Sequence, residues 1–272
     1  MSDLKQAIQR EYLKCASDPV HFMRKYCTIQ HPKKGKIKFD LYDFQEKMVG
    51  EFKSNDYNII LKSRQLGIST LSAGYALWMM LFHNDKNILV IATGKDTAKN
   101  LVTKVRVMYH NLPQWLKTKL DEDNKLSLRF SNGSQIKAVA ATQEAGRSEA
   151  LSLLVLDEAD TLLDLGFQNT IDQVLKILPK QRRTGLFSAT QTKGIKEIAR
   201  AGMRNPVSIT VEVAMSDVSL ISSIDQSQSL SSALRTPISL ENWFIKAEYD
   251  QRLGILVDFL NHHSTEKIIV FV

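Results

Sequence analysis

The chain has 272 residues, 43% hydrophobic and 24% charged, with a formal net charge of +7. This composition suits one α/β domain with extensions and excludes a disordered chain. Two isolated cysteines, Cys15 and Cys27, exclude a disulfide framework or cysteine zinc site, and no apolar run reaches membrane-spanning length.

In chain order, helices are expected near 4–16 and 19–27, then a loop with the run Lys33-Lys34-Gly35-Lys36-Ile37-Lys38, then a helix over 43–54. Residues 58–61 read as a short buried strand, followed by Lys62-Ser63-Arg64-Gln65-Leu66-Gly67-Ile68-Ser69-Thr70 and a helix ending near Phe82. Strand, glycine-bearing loop, hydroxyl pair and helix is a layout that turns backbone N–H groups toward phosphate. The usual GxxxxGK[ST] spacing is not met, because Ile68 stands where the lysine belongs and Lys62 replaces the first glycine. Phosphate charge still requires a cation, and Lys62 and Arg64 are the candidates. Ser69 is placed to put its hydroxyl on Mg²⁺.

A strand over 88–93 leads into a helix, and Asn132-Gly133 between alternating runs signals a hairpin. Residues 153–156 form an apolar strand ending in Asp157-Glu158, at the carboxyl end where open α/β sheets bind ligands. There Asp157 can hold Mg²⁺, directly or through water, and Glu158 can orient or deprotonate an attacking water. Ser188 and Thr190 end a further strand beside the acidic one, where their hydroxyls can bond Asp160. Strands and helices alternate from 58 to 213, which implies a parallel sheet with helices on both faces. Residues 214–240 read as a serine-rich linker, and 241–272 as strand, helix, strand with too little chain to bury a core. His262-His263 reads as a polar helix end.

Two family resemblances follow from these residues. Lys62 to Thr70 resembles the deviant Walker A loop of bacteriophage terminase large subunits, the ATPases that pump DNA into capsids. Phe39-Asp40-Leu41-Tyr42-Asp43-Phe44-Gln45 resembles that family's adenine-contacting segment, and the likeness covers roughly residues 1–158. From Val155 onward, Asp157-Glu158-Ala159-Asp160 with Leu162 to Phe167 resembles motif II of a DEAD-box RNA helicase. Leu178 to Gln191, holding Ser188-Ala189-Thr190, is similar to the strand leading into its motif III. Lys267 to Val272 looks like the first strand of a second helicase lobe.

The resemblances imply a P-loop (RecA-like) NTPase with an N-terminal helical extension over 1–40, an ATPase domain over 41–213, and the start of a truncated second lobe over 241–272. They imply ATP and Mg²⁺ as cofactors. ATP-binding residues would be Gln45 and Lys62, Ser63, Arg64, Gln65, Leu66, Gly67, Ile68, Ser69 and Thr70. Ser69 and Asp157 would hold the metal, Glu158 and Arg64 would be catalytic, and Asp160, Ser188, Ala189 and Thr190 would couple nucleotide to nucleic acid. The partner would be double-stranded DNA or RNA, with a ring oligomer or capsid portal in the terminase case, and no membrane. Residues 1–156 carry 24 Lys and Arg against 15 Asp and Glu, whereas 157–272 carry 12 against 14, so a basic front half suits a polyphosphate partner. A cytoplasmic site is expected, host-cell cytoplasm if viral, with the nucleus open. The alternatives are a nucleotide-binding nucleic-acid-binding protein with little turnover and an inert fusion of two motor halves.

Overall fold

The computed structural model describes residues 2–31, 33–62, 66–141, 150–213, 218–221, 245–248, 250–265, 267, 268 and 270. They fall into two units, Met1–Arg235 and Thr236–Val272.

In the first unit, α1 (Ser2–Ser17) and α2 (Pro19–Tyr26) meet at Asp18. The Asp18 carboxylate accepts the Val20 and His21 N–H groups at 2.9 and 3.1 Å, and Pro19 opens the first turn, where its missing N–H costs nothing. An antiparallel hairpin of β1 (Thr28–His31) and β2 (Gly35–Lys38) carries much of the lysine run. Then come α3 (Asp43–Ser54), β3 (Tyr57–Lys62), α4 (Ile68–Phe82), β4 (Asn87–Ala92) and α5 (Lys95–His110). After them run β5 (Leu120–Asn124), β6 (Ser127–Phe130), β7 (Gln135–Ala140), β8 (Leu153–Leu156), α6 (Ala159–Asp164) and α7 (Gln168–Ile177). The unit closes with β9 (Arg183–Ser188), α8 (Lys193–Gly202), β10 (Val207–Val213) and β11 (Val218–Ile221).

Among the described residues, one sheet runs in the order β11-β10-β3-β9-β8-β4-β7-β6-β5. Every pairing from β10 to β7 is parallel, and both margins are antiparallel. The loop strand β3 and the acidic strand β8 are separated by β9 alone, so their carboxyl ends lie ~10 Å apart.

Alternate residues of each strand serve opposite faces. Ile60, Ile88, Val90, Val155 and Phe187 share one core with α1 to α5, whereas Ile59, Leu89, Ile91, Leu154, Leu156 and Leu186 share another with α6 to α8. Every residue of α4 from Leu71 to Leu81 is buried, so this helix needs cover on all sides. Part of that cover comes from residues 1–40. Cys15, Phe22, Met23, Cys27 and Phe39 are buried in the α4 core, and the Trp78 indole donates to the Cys15 carbonyl at 2.9 Å. The expected helical extension is thus built into the sheet's own core.

β11 falls inside the stretch expected as a linker and pairs antiparallel with β10; most of 214–240 lies outside the described residues. In the second unit, α9 (Arg252–His262) ends at the histidine pair and buries none of its residues. The flanking strands expected there are not seen among described residues 245–248, 267, 268 and 270. Among the described residues no helix is long and apolar enough to cross a membrane.

Candidate nucleotide site

The loop after β3 is shaped by a glycine and a glutamine. Gly67, at the head of α4, has φ +71°, and a Cβ there would stand 2.9 Å from Gln45 Nε2. Only glycine fits without displacing that amide. Gln45 is 1% exposed. Its Nε2 donates to the Leu66 carbonyl at 3.0 Å and its Oε1 accepts the Tyr42 N–H at 3.1 Å. Gln45, expected against adenine, ties the first turn of α3 to the loop before α4 through both ends of its amide.

The Ile68 side chain is buried in the α4 core, so it can offer a ligand only its backbone. Leu66, Gly67, Ser69 and Thr70 do lie at the helix N-terminus, where N–H groups and the helix dipole favour an anion. Lys62 is half-buried at the carboxyl end of β3. Ser63, Arg64 and Gln65 lie outside the described residues.

Across the sheet, Ser69 Oγ donates to Asp157 Oδ2 at 3.3 Å, joining residues 88 apart in sequence. Asp157 is 7% exposed and continues the β8 ladder, its N–H donating to the Ile91 carbonyl at 3.0 Å. Its other oxygen accepts the Glu158 N–H at 3.2 Å. A carboxylate and a hydroxyl held together at a helix N-terminus are a hard oxygen set of the kind Mg²⁺ takes beside phosphates. Glu158 is exposed and has φ +53°, a left-handed backbone rare outside glycine. Such strain costs about 1–3 kcal/mol and tends to cluster at working sites.

Asp160, at the start of α6, Oδ2 accepts the Ala189 N–H at 3.0 Å and the Thr190 hydroxyl at 3.3 Å. Ser188 does not reach it. The buried Ser188 hydroxyl donates to the Thr190 carbonyl at 2.6 Å and accepts the Thr190 N–H at 3.2 Å, folding the turn on itself. The Asp160 contact with this turn therefore runs through Ala189 and Thr190, with Ser188 shaping the turn behind them.

Lys104 on α5 belongs to no motif and was not expected. Burial pushes its ammonium pKa below the ordinary lysine value, Asp157 acts to raise it and Lys62 to lower it. It flanks the buried stripe Ala98, Leu101, Val102 and Val105, a helical position that turns a long side chain inward.

Residues 70–198 match the family model described as DEAD/DEAH box helicase. That segment of the chain is helicase-like. The match starts well before Val155, where the motif resemblance begins. Human ATP-dependent RNA helicase DDX55 is 46% identical over 122 residues, 45% of this chain and 18% of that protein. DEAD-box ATP-dependent RNA helicase 18 of Arabidopsis thaliana is 38% identical over 153 residues, 56% of this chain and 24% of that protein. The chain thus spans about a fifth of the length of these relatives. A DEAD box protein from Methanococcus jannaschii aligns with TM-score 0.49 at 20% identity, covering 62% of this chain and 49% of that one. The fold is RecA-like α/β, a mostly parallel sheet with helices on both faces.

Proposed function

We propose that the chain binds ATP with Mg²⁺ and hydrolyses it as a motor core that remodels nucleic acid, with RNA as the nucleic acid. The observation that carries this reading is the 3.3 Å contact between Ser69 and Asp157 at the head of α4. Bound there, Mg²⁺ would neutralise the phosphate charge that develops in transfer. Lys62 and the amides of 66–70, with Ser63, Arg64 and Gln65, hold the phosphates. Glu158 orients the water and takes its proton, and Arg64 stabilises charge in the transition state. Asp160, through Ala189 and Thr190, links the acidic strand to the end of β9. RNA is supported by the printed names of the relatives, which are ATP-dependent RNA helicases.

A second reading, a terminase-type motor on double-stranded DNA working as a ring on a capsid portal, rests on the sequence of residues 62–70 alone, where isoleucine stands in the lysine position. Hydrolysis rates with RNA, single-stranded DNA and double-stranded DNA, each with Mg²⁺ and with EDTA, separate the two. Stimulation by RNA alone supports the first reading, and stimulation by duplex DNA alone the second. No Mg²⁺-dependent hydrolysis under any condition refutes both.

A further inference from the structure

We infer that Lys104 is a further phosphate-binding cation beside Lys62, reaching the bound nucleotide from α5. The inference rests on the nucleotide reading and extends it to a residue outside every motif. A cavity of about 440 Å³ opens between β1, the start of α4 and α5, lined by Gln30, Thr70, Asn100, Thr103 and Lys104 among others. Thr70 follows the metal-site candidate Ser69 directly, so the cavity adjoins the head of α4 where phosphate would sit. Lys104 is the one charged residue among its described lining, which also holds the apolar Ile29, Val107 and Met108.

The position makes little sense as scaffold. Burial opposes the Lys104 charge, and Lys62 opposes it further. No hydrogen bond from its ammonium is found among the described residues. Asp157 favours the charge, and its oxygens also accept from Ser69 and from the Glu158 N–H. An anion entering at the α4 N-terminus would give the half-buried Lys104 ammonium the partner that its burial makes it need. Thr70, Asn100 and Gln30 supply neutral donors around the same space.

The test compares the full chain with Lys104→Met, which keeps the bulk, and Lys104→Arg, which keeps the charge. Affinity is read with a fluorescent ATP analogue and by competition with inorganic triphosphate, and Asp157→Asn reports on the metal site. Loss of one charge-assisted contact predicts that Lys104→Met weakens triphosphate binding about tenfold, with Lys104→Arg restoring most of it. The melting temperature of the ligand-free Met variant should not fall, since a buried charge has been removed. Wild-type affinity should decline at an alkaline pH below the ordinary lysine value, while the Arg variant stays flat. Wild-type affinity in Lys104→Met, or a lower melting point with Met and Arg equally impaired, overturns the Lys104 assignment alone. If wild type binds no triphosphate, and Asp157→Asn changes nothing, the nucleotide reading falls and this inference falls with it.

Discussion

Replacing Gly67 by alanine tests whether Gln45 sets the shape of the loop. Alanine at φ +71° incurs the left-handed penalty, about 1 kcal/mol. Its Cβ would also stand 2.9 Å from Gln45 Nε2, and that amide cannot swing freely because Leu66 and Tyr42 hold its two ends. Displacing it leaves a buried amide short of a partner, costing about 1–3 kcal/mol. The single variant should therefore lose about 2–4 kcal/mol, which for a unit of this size lowers the melting temperature by roughly 5–15 °C. A double-mutant cycle isolates the clash. In a Gln45→Ala background the steric part vanishes, and Gly67→Ala should cost only about 1 kcal/mol. Urea melts of the four proteins give the coupling directly. Additivity within about 0.5 kcal/mol would refute the argument, leaving Gly67 and Gln45 as independent neighbours.

Glu158→Gln should keep ATP binding and lower turnover by about 10²- to 10⁴-fold, since the amide cannot accept a proton; unchanged hydrolysis removes Glu158 from the mechanism. Lys62→Ala should weaken binding of a fluorescent ATP analogue, and unchanged affinity would leave the phosphate charge to other groups. Thr190→Val deletes a donor to Asp160 whereas Ser188→Ala deletes only contacts within the turn, so Thr190→Val should cut nucleic-acid stimulation of hydrolysis more than the basal rate. Glu11 accepts bonds from Lys25, His21 and Tyr26, which lower its pKa from 4.5 to about 2. A depressed carboxylate contributes stability that is full above its unfolded pKa and lost as pH falls through the folded one. The gap in urea midpoint between wild type and Glu11→Gln should close between pH 4.5 and about 2; a constant gap would contradict the linkage.

The elements legible in the sequence are those whose signals are local. The helix expected over 19–27 is α2, and Asn132-Gly133 marks the hairpin between β6 and β7. In the fold, Gly133 takes φ +80° and its missing Cβ makes room for the Asp85 carboxylate. Leu153 to Leu156, apolar on both faces, reads as a central parallel strand and is one. The place of residues 1–40 was not legible. It depends on α4 being apolar all round and on a bond from Trp78 to Cys15 across 63 residues, which no window of sequence contains. The edge strand β11 was hidden for a similar reason, since its partner is β10 rather than a pattern of its own.

The site divides along the same line. Ser69 and Asp157 could be found because each sits in a recognisable local pattern, and the sheet order then brings their strands close. The bonds of Gln45 to backbone and the burial of Ile68 were not legible, because a motif gives residue type and spacing but not which way a side chain turns. Ile68 turned inward contributes about 1.5–3 kcal/mol of burial, a gain that a lysine at that position would forfeit unless its charge found water or phosphate. Filling the core there removes a cation from the loop, and an ATP site cannot do without the charge. The charge must then come from Lys62, Arg64 or a neighbouring element. α5 packs against both α4 and β1 and carries Lys104, the residue we infer to add such a charge.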